Sequence, residues 1–255
     1  EAWSIQANCE FIDRRNIPKL SEYGTSFYPG PALGPWARIR SFYGDTQWSL
    51  TGITHTIASD GAMDQIADLA IAPLQPWDAL ICTSSAVKRS VEILFEHQID
   101  YLSHRFKAKR CPLPQLPIIP LGVDSTQFMA YRSNFEESRQ KLGIASDEIV
   151  VLYVGRLSFH AKANPYPMYK ALQLASESVG KRVVLLECGW FFNDYLERCF
   201  DQASHLLAPG LRLLRVDGRD QKSLNSAWSV ADIFCSFSDN VQETFGITPV
   251  EAMAS

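Results

Sequence analysis

The sequence predicts an α/β fold in which parallel sheets, with helices on both faces, form two lobes. Three observations carry this. Strand runs that are apolar almost throughout, such as EIVVLYVGR near 148–156 and KRVVLLECG at 181–189, alternate with helical stretches. A shorter alternation of strand and helix precedes them, between Trp48 and Leu102. Between the two series lies CPLPQLPIIPLGVD at 111–124, whose four prolines remove ladder donors and mark an extended connection between lobes. The expected domains are residues 1–124 and 125–255, the first incomplete at its start and the second at its end.

The first fifty residues resist assignment beyond the proline- and glycine-rich loop YPGPALGP at 28–35. WSLTGITHTI at 48–57 is β-rich, and Ser59 with Asp60 can cap a helix carrying Met63, Ile66, Ala67 and Ala70 on one face. DALICTS at 78–84 predicts a strand. Val87, Val91, Phe95, Ile99 and Leu102 then recur at helical spacing, and the basic run Arg105, Lys107, Lys109 and Arg110 closes that helix where cations complement its dipole. After the proline segment, EIVVLYVGR predicts a strand, PYPMYKALQLASESV a helix, KRVVLLECG a strand and FFNDYLERCFDQAS a helix. LRLLRVDG, SLNSAWSV and ADIFCSFS continue as strand, helix and strand. EAMAS opens a last helix that the chain does not complete, which is the expectation for a fragment.

With 46% hydrophobic and 20% charged residues over 255 positions, the chain is globular and has room for two domains. A net charge of -4 argues against a nucleic-acid partner, because phosphate binding needs a concentrated basic face. Six cysteines are scattered without a C-x-x-C pair, the pattern of buried reduced thiols. No stretch of about 18 apolar residues occurs, and EAWSIQANCE carries no signal pattern. The resulting expectation is a soluble, cytoplasmic protein; a membrane contact is compatible with the sequence but not called for.

In parallel sheets ligands bind beyond the carboxyl ends of the strands. That rule selects Gly155–Lys162, Gly189–Asn193, Asp217–Asp220 and Asp239–Gly246, with His55 and Ser84 in the first half. Arg156 and Lys162 in GRLSFHAK are either a phosphate grip or a pair of solvated loop charges. Phe245, Gly246 and Ile247 open the last helix, where N–H groups favour an anion, although Gly246 also fits an ordinary turn. Glu243 and Glu251, seven residues apart in ETFGITPVE, suggest a phosphosugar site. Glu251 has a second reading, because Thr248-Pro249-Val250-Glu251 matches a capping box with proline at the first helical position. His55 is either a packed histidine or a ligand contact, and Ser84 reads as a helix cap. No aspartate pair separated by one residue, no G-x-G-x-x-G after a strand, no G-x-S-x-G and no P-loop is present. A dehydrogenase, a serine hydrolase and a nucleoside triphosphatase thereby lose their main signals.

IPLGVD at 119–124, VGRLSFHAK at 154–162 and ETFGITPVEAMAS at 243–255, in that order, resemble the retaining, nucleotide-sugar-dependent glycosyltransferases of family 4, the glycosyl transferases group 1. The resemblance implies the GT-B fold, two facing Rossmann-like lobes, here truncated. It implies that Gly155, Arg156 and Lys162 bind the donor diphosphate, that Glu243 faces the transferred sugar, and that the backbone at Phe245, Gly246 and Ile247 assists there. Glu251 would hold the ribose. GITHTI is similar to the family strand whose histidine reaches the donor sugar, which would make His55 catalytic together with Glu243. The separation of Arg156 and Lys162 is six positions where five is usual, and Ala163 follows where glycine is usual. The implied reaction moves a sugar from a nucleotide-diphosphate donor to a glycan, lipid or small-molecule hydroxyl by a front-face, metal-independent route with no cofactor. A non-catalytic nucleotide-sugar or glycan binding protein, an epimerase and a phosphorylase share the fold and stand as alternatives.

Overall fold

A computed structural model describes residues 10–13, 15–57, 59–131, 134–238 and 245–255. The chain divides into two compact units, Glu1–Pro120 and Leu121–Ser255.

In the first unit a 3₁₀ turn at Ile17–Lys19 leads into α1 (Leu20–Tyr23), β1 (Thr25–Tyr28), α2 (Gly34–Ser41), β2 (Ser49–Ile53), α3 (Asp60–Asp68), β3 (Ala79–Ile81) and α4 (Ser85–Phe106). The three strands form a parallel sheet in the order β1-β2-β3. Leu50, Leu80, Ile66, Val87, Val91 and Phe95 meet in its core, so the helical faces expected from the spacing are the buried ones. Ser59 and Ser84 cap α3 and α4, accepting from the amides of Ala62 and Val87. Arg40 and Asp78 are both fully buried and paired through two bonds of 2.6 and 2.7 Å. Asp78 also accepts the amides of Leu50 and Gln75, and Arg40 donates to the carbonyl of Trp48. These bonds fasten α2 to the entrances of β2 and β3.

The proline segment differs from the expectation that it lacks ladder donors. Gln115 and Ile119 donate to the carbonyls of Asp78 and Cys82, while the amides of Leu80 and Cys82 donate to Gln115 and Pro117. The segment therefore lies parallel against β3. Only the bond that Pro117 would have donated is lost on this side, because prolines 112, 114 and 120 fall where the edge asks no donor of them.

The second unit contains α5 (Ser125–Tyr131), α6 (Phe135–Lys141), β4 (Ile149–Val154), α7 (Pro165–Val179), β5 (Val183–Gly189), α8 (Asp194–Leu207), β6 (Arg212–Asp217), α9 (Gln221–Val230), β7 (Ile233–Phe234) and α10 (Ile247–Ala254). Its sheet is parallel, in the order β6-β5-β4-β7. Alternate residues feed opposite faces. Val151, Tyr153 and Leu185 pack with Met168, Tyr169 and Phe200, whereas Val150, Leu152, Leu186 and Cys188 pack with Phe128, Trp228 and Val230. Every residue of β5 is buried, as expected for a central strand covered on both faces. β7 is shorter than its apolar run suggests, pairing only Ile233 with Val151 and Phe234 with Leu152. Among the described residues no helix is long and apolar enough to cross a membrane. Of the five described cysteines, all free thiols, only Cys82 and Cys188 are fully buried; Cys111, Cys199 and Cys235 are partly exposed, and Cys9 lies outside the described residues.

Candidate functional site

From β4 the strand order runs to β5 and β6 on one side and to β7 on the other, so the switch point, where open parallel sheets leave a crevice, lies between β4 and β7. On the β5 side of β4 the rim is bare backbone. Gly155 donates to the carbonyl of Cys188 at 3.0 Å, Leu157 to Trp190 at 3.0 Å and Gly218 to Gly189 at 3.1 Å, so the loops leaving β4, β5 and β6 are knitted together. A Cβ at position 189 would overlap the Gly155 carbonyl oxygen, and Gly155 itself has φ +153°, outside the range side chains favour. Close packing of backbone at this rim needs glycine at both positions.

The loop after β4 is anchored by Leu157 and Ser158, both buried, and by the Lys162 amide donating to the Ser158 carbonyl at 3.0 Å. Its far end is tied by an antiparallel bridge from Ala163 to Ser238, in the segment following β7. Arg156 is partly buried, and among the described residues its guanidinium makes no hydrogen bond or ion pair. It lines a cleft of about 410 Å³ between the loops after β4 and β5, together with Phe159, His160, Phe192, Asn193 and Tyr195. Lys162 is partly buried six residues further on. Beneath the β5 loop, Glu187 is fully buried and accepts from Tyr169 Oη at 2.6 Å and Arg215 Nε at 2.7 Å; Arg215 also pairs with Asp201. The Arg215 guanidinium lies over the Phe191 ring, which contacts Phe200 edge-on. Phe191 is thereby held inward while Phe192, its neighbour, is exposed.

The capping box expected at Thr248–Glu251 is not formed. Gly246, with φ +75°, is the N-cap of α10, and no side chain caps the helix. The helix begins two residues earlier than the pattern suggests, because a glycine in the left-handed region can turn the chain into it directly. Glu251 is consequently not engaged at the helix start. It is partly buried in a second pocket of about 290 Å³, facing residues of α5 and α9 that include Gln127, Tyr131, Gln221 and Trp228. Among the described residues its carboxylate has no hydrogen-bond or ion-pair partner, and burial holds its pKa above the usual value. Phe245, Gly246 and Ile247 lie at the amino end of α10, and Ile247 lines the same pocket. Arg156 and Glu251 thus occupy separate pockets of one unit. Glu243 lies outside the described residues.

In the first unit His55 follows β2 by two residues, and its Nε2 lies 2.9 Å from the Pro29 carbonyl in the loop after β1. Close backbone contact recurs here, since a Cβ at Gly52 would press on the Gly30 carbonyl. The aromatic wall of Phe159, Phe192 and Tyr195 and the polar lining around Glu251 were not singled out from sequence. Three exposed rings within a few residues of two strand ends were the available signal.

Residues 134–255 match the family described as glycosyl transferases group 1. Among solved structures, Anabaena HepE in complex with UDP is similar at 19% identity and a TM-score of 0.62, covering 94% of this chain and 60% of that one. An α,α-trehalose-phosphate synthase (UDP-forming) from Burkholderia vietnamiensis is similar at 13% identity and a TM-score of 0.64, covering 96% and 62%. The catalytic domain of starch synthase IV from Arabidopsis thaliana, bound to ADP and acarbose, is similar at 11% identity and a TM-score of 0.53, covering 92% and 56%. The chain spans about three fifths of the length of the first two structures. These likenesses show the GT-B fold. No curated protein matches the chain in sequence.

Proposed function

We propose that this chain, whose residues 134–255 form a glycosyl transferases group 1 domain, belongs to a retaining glycosyltransferase that moves a sugar from a nucleoside-diphosphate donor to an acceptor hydroxyl. The observation that carries the reading is the Arg156 guanidinium, unpartnered among the described residues, beside a rim of bare glycine backbone at the carboxyl edge of the sheet. The reaction builds negative charge on the departing diphosphate, so a cation held in place at the rim stabilises the transition state without reorganisation. Lys162 and the amino end of α10 add to that field, which makes a metal dispensable.

In a front-face route the departing phosphate oxygen takes the acceptor proton, and configuration at the anomeric carbon is retained without a protein nucleophile. Glu243 then orients the sugar rather than acting as a base, with the backbone of Phe245, Gly246 and Ile247 beside it. Glu251, whose carboxylate has no partner among the described residues, accepts from the ribose hydroxyls; both a UDP-complexed and a UDP-forming similar structure support a nucleoside diphosphate as the ligand. His55 is assigned to the donor sugar on the resemblance of GITHTI alone. The free thiols suit a reducing, cytoplasmic setting. A thermal-shift comparison of UDP, GDP and ADP and their sugars tests this reading. At least one should raise the melting temperature; if none does, the donor site is wrongly assigned.

A further inference from the structure

The cleft between the loops after β4 and β5 has more in it than a diphosphate grip needs. Phe192 is 80% exposed, Tyr195 60% and Phe159 38%, three aromatic rings on the wall of one cleft. Leaving rings in water forgoes about 25 cal/mol per Å² of apolar surface, and a concave cluster of them marks a binding surface. Phe159 stands edge-on to His160, and among the described residues Phe192 and Tyr195 contact no other ring, so the three offer separate faces rather than a parallel slot. The volume of about 410 Å³ falls in the ordinary range for a small-molecule site.

The polar groups between the rings are nitrogen donors. The Arg156 guanidinium is unpartnered among the described residues. Asn193 uses Oδ1 to accept from the Leu196 amide at 3.0 Å, leaving its amide nitrogen. The Ser158 hydroxyl lies 3.3 Å from His160 Nδ1, and when it donates there Nε2 carries the ring proton. The complementary molecule has apolar faces, which stack on rings through C–H groups, and a rim of oxygens that accept from nitrogen. A pyranose has both.

We propose that this cleft is a saccharide subsite in which Phe192, Tyr195 and Phe159 stack on a pyranose ring while Arg156, Asn193 and His160 donate to its oxygens. It lies on the β5 side of the β4 loop, away from the β4–β7 switch point, so it adds a second sugar position to the donor site. Only Arg156 is shared with the donor reading. An anionic substituent such as a phosphate or carboxylate on that sugar meets the guanidinium.

Saturation-transfer NMR with maltose, glucose 1-phosphate and uridine, each at about 10 mM to detect millimolar binding, tests the proposal. Both sugars should bind, and Phe192→Ala/Tyr195→Ala should weaken each about fivefold or more. UDP binding, measured separately, should be unchanged in that variant. Arg156→Ala should weaken glucose 1-phosphate more than maltose, which loses one of its donors but no charge partner. Both substituted rings are exposed, so circular dichroism should show an intact fold. Absence of saccharide binding, equal binding by the ring variant, or ring-dependent binding of uridine alone overturns the proposal. Sugar binding that survives a failure of UDP to bind removes the donor reading and leaves this one standing.

Discussion

The carbonyl oxygen of Gly155 occupies the place that a Cβ on Gly189 would need, so the ends of β4 and β5 meet backbone to backbone. Gly189→Ala must push apart two strand ends already joined by the bond from Gly155 to Cys188. A loss of about 2–4 kcal/mol is expected, at or above the usual range for overpacking. Gly61, in the first turn of α3 with nothing within 4 Å of a Cβ, is the contrast. Gly61→Ala should stabilise by about 0.5–1 kcal/mol. Urea unfolding of the two variants measures both.

Burial raises the pKa of Glu251 above its ordinary value of 4.5, so the folded chain binds a proton that the unfolded chain has released. Stability then falls as pH rises from the unfolded pKa through the folded one, and returns on acidification. Glu251→Gln removes the ionisation. The variant should melt above the wild type at neutral pH, the gap should close towards pH 4.5, and nucleotide-induced stabilisation should shrink. A lower melting temperature at neutral pH would mean that the carboxylate makes a structural bond.

The pair Arg40–Asp78 is wholly buried and its partners are fixed groups, which makes half a pair worse than none. Asp78→Ala should cost about 3–5 kcal/mol. The double change Arg40→Met/Asp78→Leu should cost less, although it also strands the Leu50 and Gln75 amides. Calorimetric unfolding separates the two.

Burial pushes the Cys188 thiol up to about 12 and the Cys82 thiol up to about 11. Near pH 8 both are protonated as well as shielded, and neither should react with a thiol reagent until the chain unfolds. Among the described thiols, Cys111 and Cys199 should label first. Mass spectrometry of partly labelled native protein gives the order.

Much of the second unit was legible because its two central strands, β4 and β5, are buried on both faces. Runs such as VVLY and VVLLEC read as central strands of a covered sheet, and the helix boundaries follow local caps, Asn164 for α7 and Asn193 for α8. The first unit's opening was not legible, since β1 has four residues in an alternately exposed pattern between glycine-rich turns. At α10 the local pattern Thr248–Glu251 misled, because a left-handed Gly246 took over the cap and freed the glutamate. The loop cations were legible from the rule that ligands sit beyond strand ends. The aromatic cleft was not, because the outward turn of Phe192 depends on Phe191 being held by Arg215 and Phe200, a contact among three separate elements.

Isothermal titration calorimetry of the chain with UDP, GDP and ADP, repeated on Arg156→Ala, tests the central claim most directly. One of the three should bind, and loss of the guanidinium should weaken it at least about tenfold, a change of about 1.4 kcal/mol. Binding of equal strength by Arg156→Ala, or no binding of any of the three to the wild type, would contradict the account.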